Sequence, residues 1–67
     1  MINSNKIKGR IYEQGYTIGK IAKQLGLTPY TTGQKVAGKR VMNLDEAFKL
    51  KRILQIPDGE EREYFFV

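Results

Sequence analysis

The sequence predicts an all-α domain of about five helices. Apolar residues recur at three- and four-residue spacing in successive segments, and residues that start and stop helices punctuate those segments at short intervals. No segment alternates with period two over the length of a strand. The 67 residues allow one domain, 1–67, without repeats or low-complexity stretches. A chain of that size buries only about 60% of its surface, so it is marginal unless compact or paired.

Residues 1–4 are expected to fray. Asn3 or Ser4 can cap a first helix running to about Gln14, with Ile7 and Ile11 four apart on its inner face. Lys6, Lys8 and Arg10 lie off that stripe. Gly9 costs the helix roughly 1 kcal/mol relative to alanine, or else lets another helix approach closely. Gly15 ends the segment, and Tyr16 can pack back over the next helix start as a hydrophobic staple.

The chain is organised around residues 17–38, read as two short helices joined by a tight turn. Thr17 caps the first, whose inner face carries Ile21, Ala22 and Leu25. Gly26 stands where a left-handed helix stop wants glycine. Leu27 is placed to fill the space between the helices. Thr28 can cap the second helix with its hydroxyl, because the residue before a proline leaves the helical region. Pro29 then takes the first helical position, where its missing N–H is not needed. Val36 points inward, and Gly38 closes the unit.

Lys39-Arg40-Val41-Met42 reads as a basic loop with two apolar anchors. Asn43 can cap the next helix, with Asp45 and Glu46 favourably near its positive end. Leu44, Ala47, Phe48, Leu50, Ile53 and Leu54 form a wide apolar face, of which Leu50, Ile53 and Leu54, with Ile56, are expected in the core. Pro57 is expected to stop that helix. Asp58 and Glu61 can then form a capping box for a last short helix ending near Tyr64. The acids 58–63 otherwise read as solvated charge.

Charge is uneven. Residues 1–52 carry eleven Lys/Arg against three Asp/Glu, and residues 53–67 carry one Arg against four acids, for a net +5 overall. A basic body with an acidic tail suits a polyanionic partner. The chain has neither cysteine nor histidine, which removes disulfides, the commonest metal ligands and the commonest general base. No acid is paired with a second catalytic group, so no active site, metal or cofactor is assigned. No apolar run approaches the ~20 residues that span a membrane, and the N-terminus lacks a signal peptide's apolar stretch. A cytosolic protein is the default expectation.

The order of parts in 17–38 resembles the helix-turn-helix of Cro-type phage repressors, in the Cro/XRE family. Ala22, then Leu25-Gly26-Leu27, then Val36 and Gly38 fall at that family's spacing. Ile7-Lys8-Gly9-Arg10-Ile11 before the motif, Gly38-Lys39 closing it, the amphipathic segment after it and the terminal Tyr64-Phe65-Phe66 extend the likeness over nearly the whole chain. They resemble the small Cro-like proteins of temperate phages of Gram-positive hosts. Thr32 departs from the pattern, standing where the family usually places an apolar residue against the first motif helix. It can still bury its methyl and bond its hydroxyl to the helix backbone.

The resemblance implies a five-helix lambda-repressor-like, Cro-type helix-turn-helix DNA-binding domain with a short aromatic segment at 58–67. It implies a repressor of the lysis/lysogeny switch, in the cytoplasm of a bacterial host, that binds double-stranded operator DNA as a homodimer. Under that docking mode Tyr30, Thr31, Gly33 and Gln34 face base edges in the major groove. Gln34 can bond adenine through two hydrogen bonds, and Gly33 lets the helix come close. Thr17, Lys20, Thr28, Lys35, Lys39 and Arg40 are the phosphate candidates, supplying affinity and register rather than sequence information. The base-reading set is thin, with neither arginine nor asparagine. Some small phage proteins with this fold act instead as antirepressors that bind the lysogeny repressor. Tyr64, Phe65 and Phe66 are the candidate partner or dimer surface, with packing into the core as the alternative.

Overall fold

A computed structural model describes residues 2–66; Met1, in the expected frayed end, and Val67, at the end of the aromatic tail, lie outside the described residues. All regular structure among them is helical: α1 (Ser4–Glu13), α2 (Ile18–Leu25), α3 (Pro29–Val36), α4 (Leu44–Ile53) and α5 (Glu61–Phe65). Side-chain oxygens of Asn3, Thr17, Thr28 and Asn43 each accept the backbone N–H three residues on, so four helices start on the capping residues their sequence supplies. No helix of the described residues is long and apolar enough to cross a membrane.

Four helices also end alike. Each closes with an N–H reaching back five residues: Tyr16 to Ile11, Leu27 to Ala22, Lys39 to Gln34, and Ile56 to Lys51, at 2.9–3.0 Å. The motif needs one residue at positive φ. Gly15, Gly26 and Gly38 supply it in the first three, and Gln55, at φ 53°, supplies it in the fourth. α4 therefore stops at a left-handed glutamine and not at Pro57, which stands beyond the turn. The arginine of α1 helps to hold that strained end. Arg10 Nε donates to the Leu54 carbonyl at 2.9 Å and Nη2 to the Gln55 carbonyl at 2.7 Å, placing a cation on the negative end of α4.

The core joins Ile7 and Ile11 of α1, Ile21 of α2, Val36 of α3, Leu50 of α4, Leu54 and Ile56 beyond it, and Tyr64 and Phe65 of α5. α2 packs on α3 and α4, while α1 packs on α3 and α5. Tyr64 and Phe65 are each only 5% exposed. The chain start is tied to them: the Asn3 N–H donates to the Tyr64 carbonyl at 2.8 Å, and Lys6 bonds Glu63 at 2.8 Å.

Several expectations need correction. Leu44 and Phe48 are exposed, so the inward stripe of α4 is narrower than its apolar composition. Of the two loop anchors, Met42 packs on the core and Val41 is 87% exposed. Asp58 does not cap α5. It pairs with Lys51, while the Glu61 carboxylate accepts the Gly59 N–H, and α5 begins without a side-chain cap. A Cβ at Gly9 would meet nothing within 4 Å, so no helix approaches there. Thr32 is buried as expected, but its hydroxyl has no hydrogen-bond partner.

A buried, unpaired hydroxyl costs about 1–3 kcal/mol. Valine has nearly the same shape without the hydroxyl. Thr32→Val is expected to stabilise the domain by about 1 kcal/mol, which in a chain of this size raises Tm by roughly 4–8 °C. Thermal melting followed by circular dichroism measures it, and an unchanged or lower Tm would mean that the hydroxyl is satisfied.

Candidate nucleic-acid interface

α3 owes its position to the turn before it and the loop after it. The Thr28 hydroxyl accepts the Thr31 N–H at 3.1 Å and donates its own proton to Thr31 Oγ1 at 3.0 Å. Pro29 follows at the first helical position. Buried Thr32 and Val36 set the inner side of α3. Tyr30 is 70% exposed, and Thr31, Gly33 and Gln34 are half-buried. A Cβ built on Gly33 meets nothing within 4 Å. Nothing inside the protein therefore requires glycine there, although it weakens the helix.

The basic loop is fastened to the same helix. The Gln34 carbonyl accepts the N–H of Lys39 at 2.9 Å and that of Arg40 at 3.3 Å. One residue of α3 thus carries a candidate base-reading amide on its side chain and anchors both loop cations through its backbone. Lys39 and Arg40 remain exposed.

Glu46 fixes the far side of that loop. Both its oxygens accept from Lys35 Nζ at 2.6 Å, and Oε1 also accepts the Asn43 N–H at 3.0 Å. Asn43 returns the bond, accepting the Glu46 N–H at 2.8 Å, so the capping box of α4 is complete. Burial pushes the Glu46 carboxyl up, but the hydrogen bonds from Lys35 and the Asn43 N–H outweigh it and hold the group below its ordinary value. Lys35 does not meet the expectation of a phosphate ligand. Its ammonium is instead mostly buried against Glu46, where the pair clamps the end of α3 to the start of α4.

The other phosphate candidates stay at the surface. Thr17 is exposed and caps α2, accepting the Lys20 N–H at 3.2 Å; Lys20 and Thr28 are exposed too. The aromatic surface divides. Tyr64 and Phe65 belong to the core and are unavailable to a partner, whereas Phe66 is 59% exposed. Two structural residues escape a reading of the sequence. The Asn43-x-x-Glu46 pattern of a capping box is legible there, but nothing local links Glu46 to Lys35 or Arg10 to the end of α4.

The lowered Glu46 carboxyl has a pH consequence. A carboxylate whose folded pKa lies below its unfolded value stabilises the fold above that unfolded value, and the contribution fades as pH falls through the folded one. Glu46→Gln should lower Tm by a constant margin at neutral pH. The margin should shrink below about pH 4.5, the group's ordinary value. Paired melts of parent and variant from neutral pH to about pH 3 test this. A margin independent of pH would show that the charge on Glu46 contributes nothing.

No family model matches the chain, and no curated protein matches it.

Proposed function

We propose that the protein is a sequence-specific DNA-binding transcription regulator, a Cro-like phage repressor with a helix-turn-helix formed by α2 and α3. One observation carries the reading: the Gln34 backbone holds Lys39 and Arg40 on the same rigid piece as the side chains offered to bases. In this mode α3 enters the major groove, and the two loop cations meet the phosphates beside it. Thr17 and Lys20, at the N-terminus of α2, meet phosphate on the other side, where free backbone N–H groups favour an anion. Lys35 has no part in this, since Glu46 holds its charge. A domain contacting a few base pairs reads too little sequence alone, so a homodimer on two half-sites about 34 Å apart, or a multiple, completes the operator. Occupancy excludes polymerase or a competing repressor, in the cytoplasm of a bacterial host.

A second reading is favoured by exposed Phe66 and Val41. Here the protein modulates a phage lysogeny repressor by direct contact. Gel shifts on an early-promoter duplex, with and without that repressor, separate the two. Binding by the protein alone supports the first reading, and binding only with the repressor supports the second.

Gly33→Ala gives effects of opposite sign under the DNA reading. Alanine is worth about 0.8–1.0 kcal/mol over glycine in a helix, so the free protein should melt higher. The added methyl should obstruct the groove and cost about tenfold in operator affinity, ~1.4 kcal/mol. Higher Tm with unchanged affinity would remove α3 from the groove at this position. Gln34→Ala should weaken operator binding by about 1–3 kcal/mol while sparing random duplex.

Lys39→Ala with Arg40→Ala should weaken binding to all duplexes alike. It should also flatten the salt dependence, by about 0.9 of log–log slope for each phosphate no longer neutralised. A slope equal to the parent's would show that the loop does not touch the backbone of DNA.

A further inference from the structure

The loop after α3 and the end of α5 enclose a groove of about 450 Å³. Ile2, Met42 and Phe65 lie deeper in it, and exposed Val41 and Phe66 stand at its edge. Gly38, Lys39 and Arg40 complete the lining, and among the described residues no acid contributes to it. Arg62, also exposed, stands one helical turn before Phe66. A recess of this size is within the ~300–1,000 Å³ range of sites that take a compact anchor, and among the described residues the charges that line it are of one sign.

We propose that this groove binds a segment of another protein that carries a large apolar side chain flanked by Asp or Glu. The apolar anchor enters against Met42 and Phe66, and its acids meet Lys39 and Arg40. Charge selects this occupant over a second copy of the chain. In a two-fold dimer paired groove to groove, the Lys39 and Arg40 of one copy would stand near those of the other. Like charges so opposed disfavour association. Two of the acids near the chain's C-terminal end already hold cations of their own, Glu63 with Lys6 and Asp58 with Lys51. A bound segment would compete with DNA for the two loop cations. That competition rests on the DNA reading above, whereas the groove itself does not.

The test is selection of random twelve-residue peptides displayed on phage against the immobilised full chain, followed by fluorescence anisotropy with the enriched peptides. Enrichment of peptides with net negative charge and at least one Phe, Leu, Trp or Tyr is expected. Phe66→Ser and Arg40→Glu, both at exposed positions, should each lower peptide affinity at least tenfold with unchanged melting. Absence of enrichment, equal binding by peptides with acids changed to amides, or indifference to Phe66→Ser would overturn the proposal. So would a concentration-dependent dimer in sedimentation that Phe66→Ser abolishes, which would assign the groove to a second copy. A bound peptide that fails to displace duplex DNA would remove the competition alone. Lys39→Ala with Arg40→Ala leaving DNA binding intact would fail the DNA reading of the loop, while peptide selection still judges the groove.

Discussion

The helices of this protein run from five to ten residues, and helices that short are unstable in water apart from their neighbours. Stability has to come from closed ends and from one shared core. Four side-chain caps and four left-handed stops close the ends, leaving few orphan backbone groups. The core draws from all five helices, so no helix can leave without exposing the others. Tyr64 and Phe65 are held by the same constraint. Both are needed to close the core against α1, while Tyr12, Tyr30, Phe48 and Phe66 are left exposed.

Electrostatics then place what packing leaves loose. Glu46 joins the end of α3, the start of α4 and the cap of α4 at one carboxylate. The loop between those helices is thereby held at both ends, by Gln34 before it and by Glu46 after it. Lys39 and Arg40 are exposed charges on a restrained backbone, which lowers the entropy lost when they meet an anion. Arg10 performs a similar task elsewhere, holding the end of α4 at a residue that would more comfortably be glycine. In one dimension Arg10 reads as a charge off the apolar stripe and Glu46 as a charge at a helix start, and in three both also hold separate helices together.

Some groups have no reason inside the fold. The hydroxyl of Thr32 is buried without a partner, Gly33 has open space where a side chain would fit, and Val41, Leu44, Phe48 and Phe66 are apolar and exposed. Thr32 and Gly33 adjoin in α3, Thr32 on its inner side and Gly33 in the stretch proposed to face DNA. Val41 and Phe66 edge the groove proposed to take an acidic segment. Gly33, Val41 and Phe66 lie at the two surfaces for which binding is proposed, where function and stability make different demands, whereas Leu44 and Phe48 of α4 belong to neither.

The sequence by itself determined the helical class, most helix starts and most of the core. Caps and stops are local: Thr28-Pro29 or Leu25-Gly26-Leu27 acts through the nearest turn of backbone, whatever the rest of the chain does. Periodicity likewise marks an inner face, and Ile7, Ile11, Ile21, Val36, Leu50 and Leu54 all lie inward. The tertiary structure alone decided which apolar residues the core had room for, burying Tyr64 and Phe65 and leaving Phe66, Leu44 and Phe48 outside. It alone decided which cations were already engaged, taking Lys35 for Glu46 and Arg10 for the end of α4 while leaving Lys39 and Arg40 at the surface. The physical reason is the same in each case. A cap or a helical stripe depends on residues within one or two turns, whereas burial and ion pairing depend on groups that only folding brings within reach.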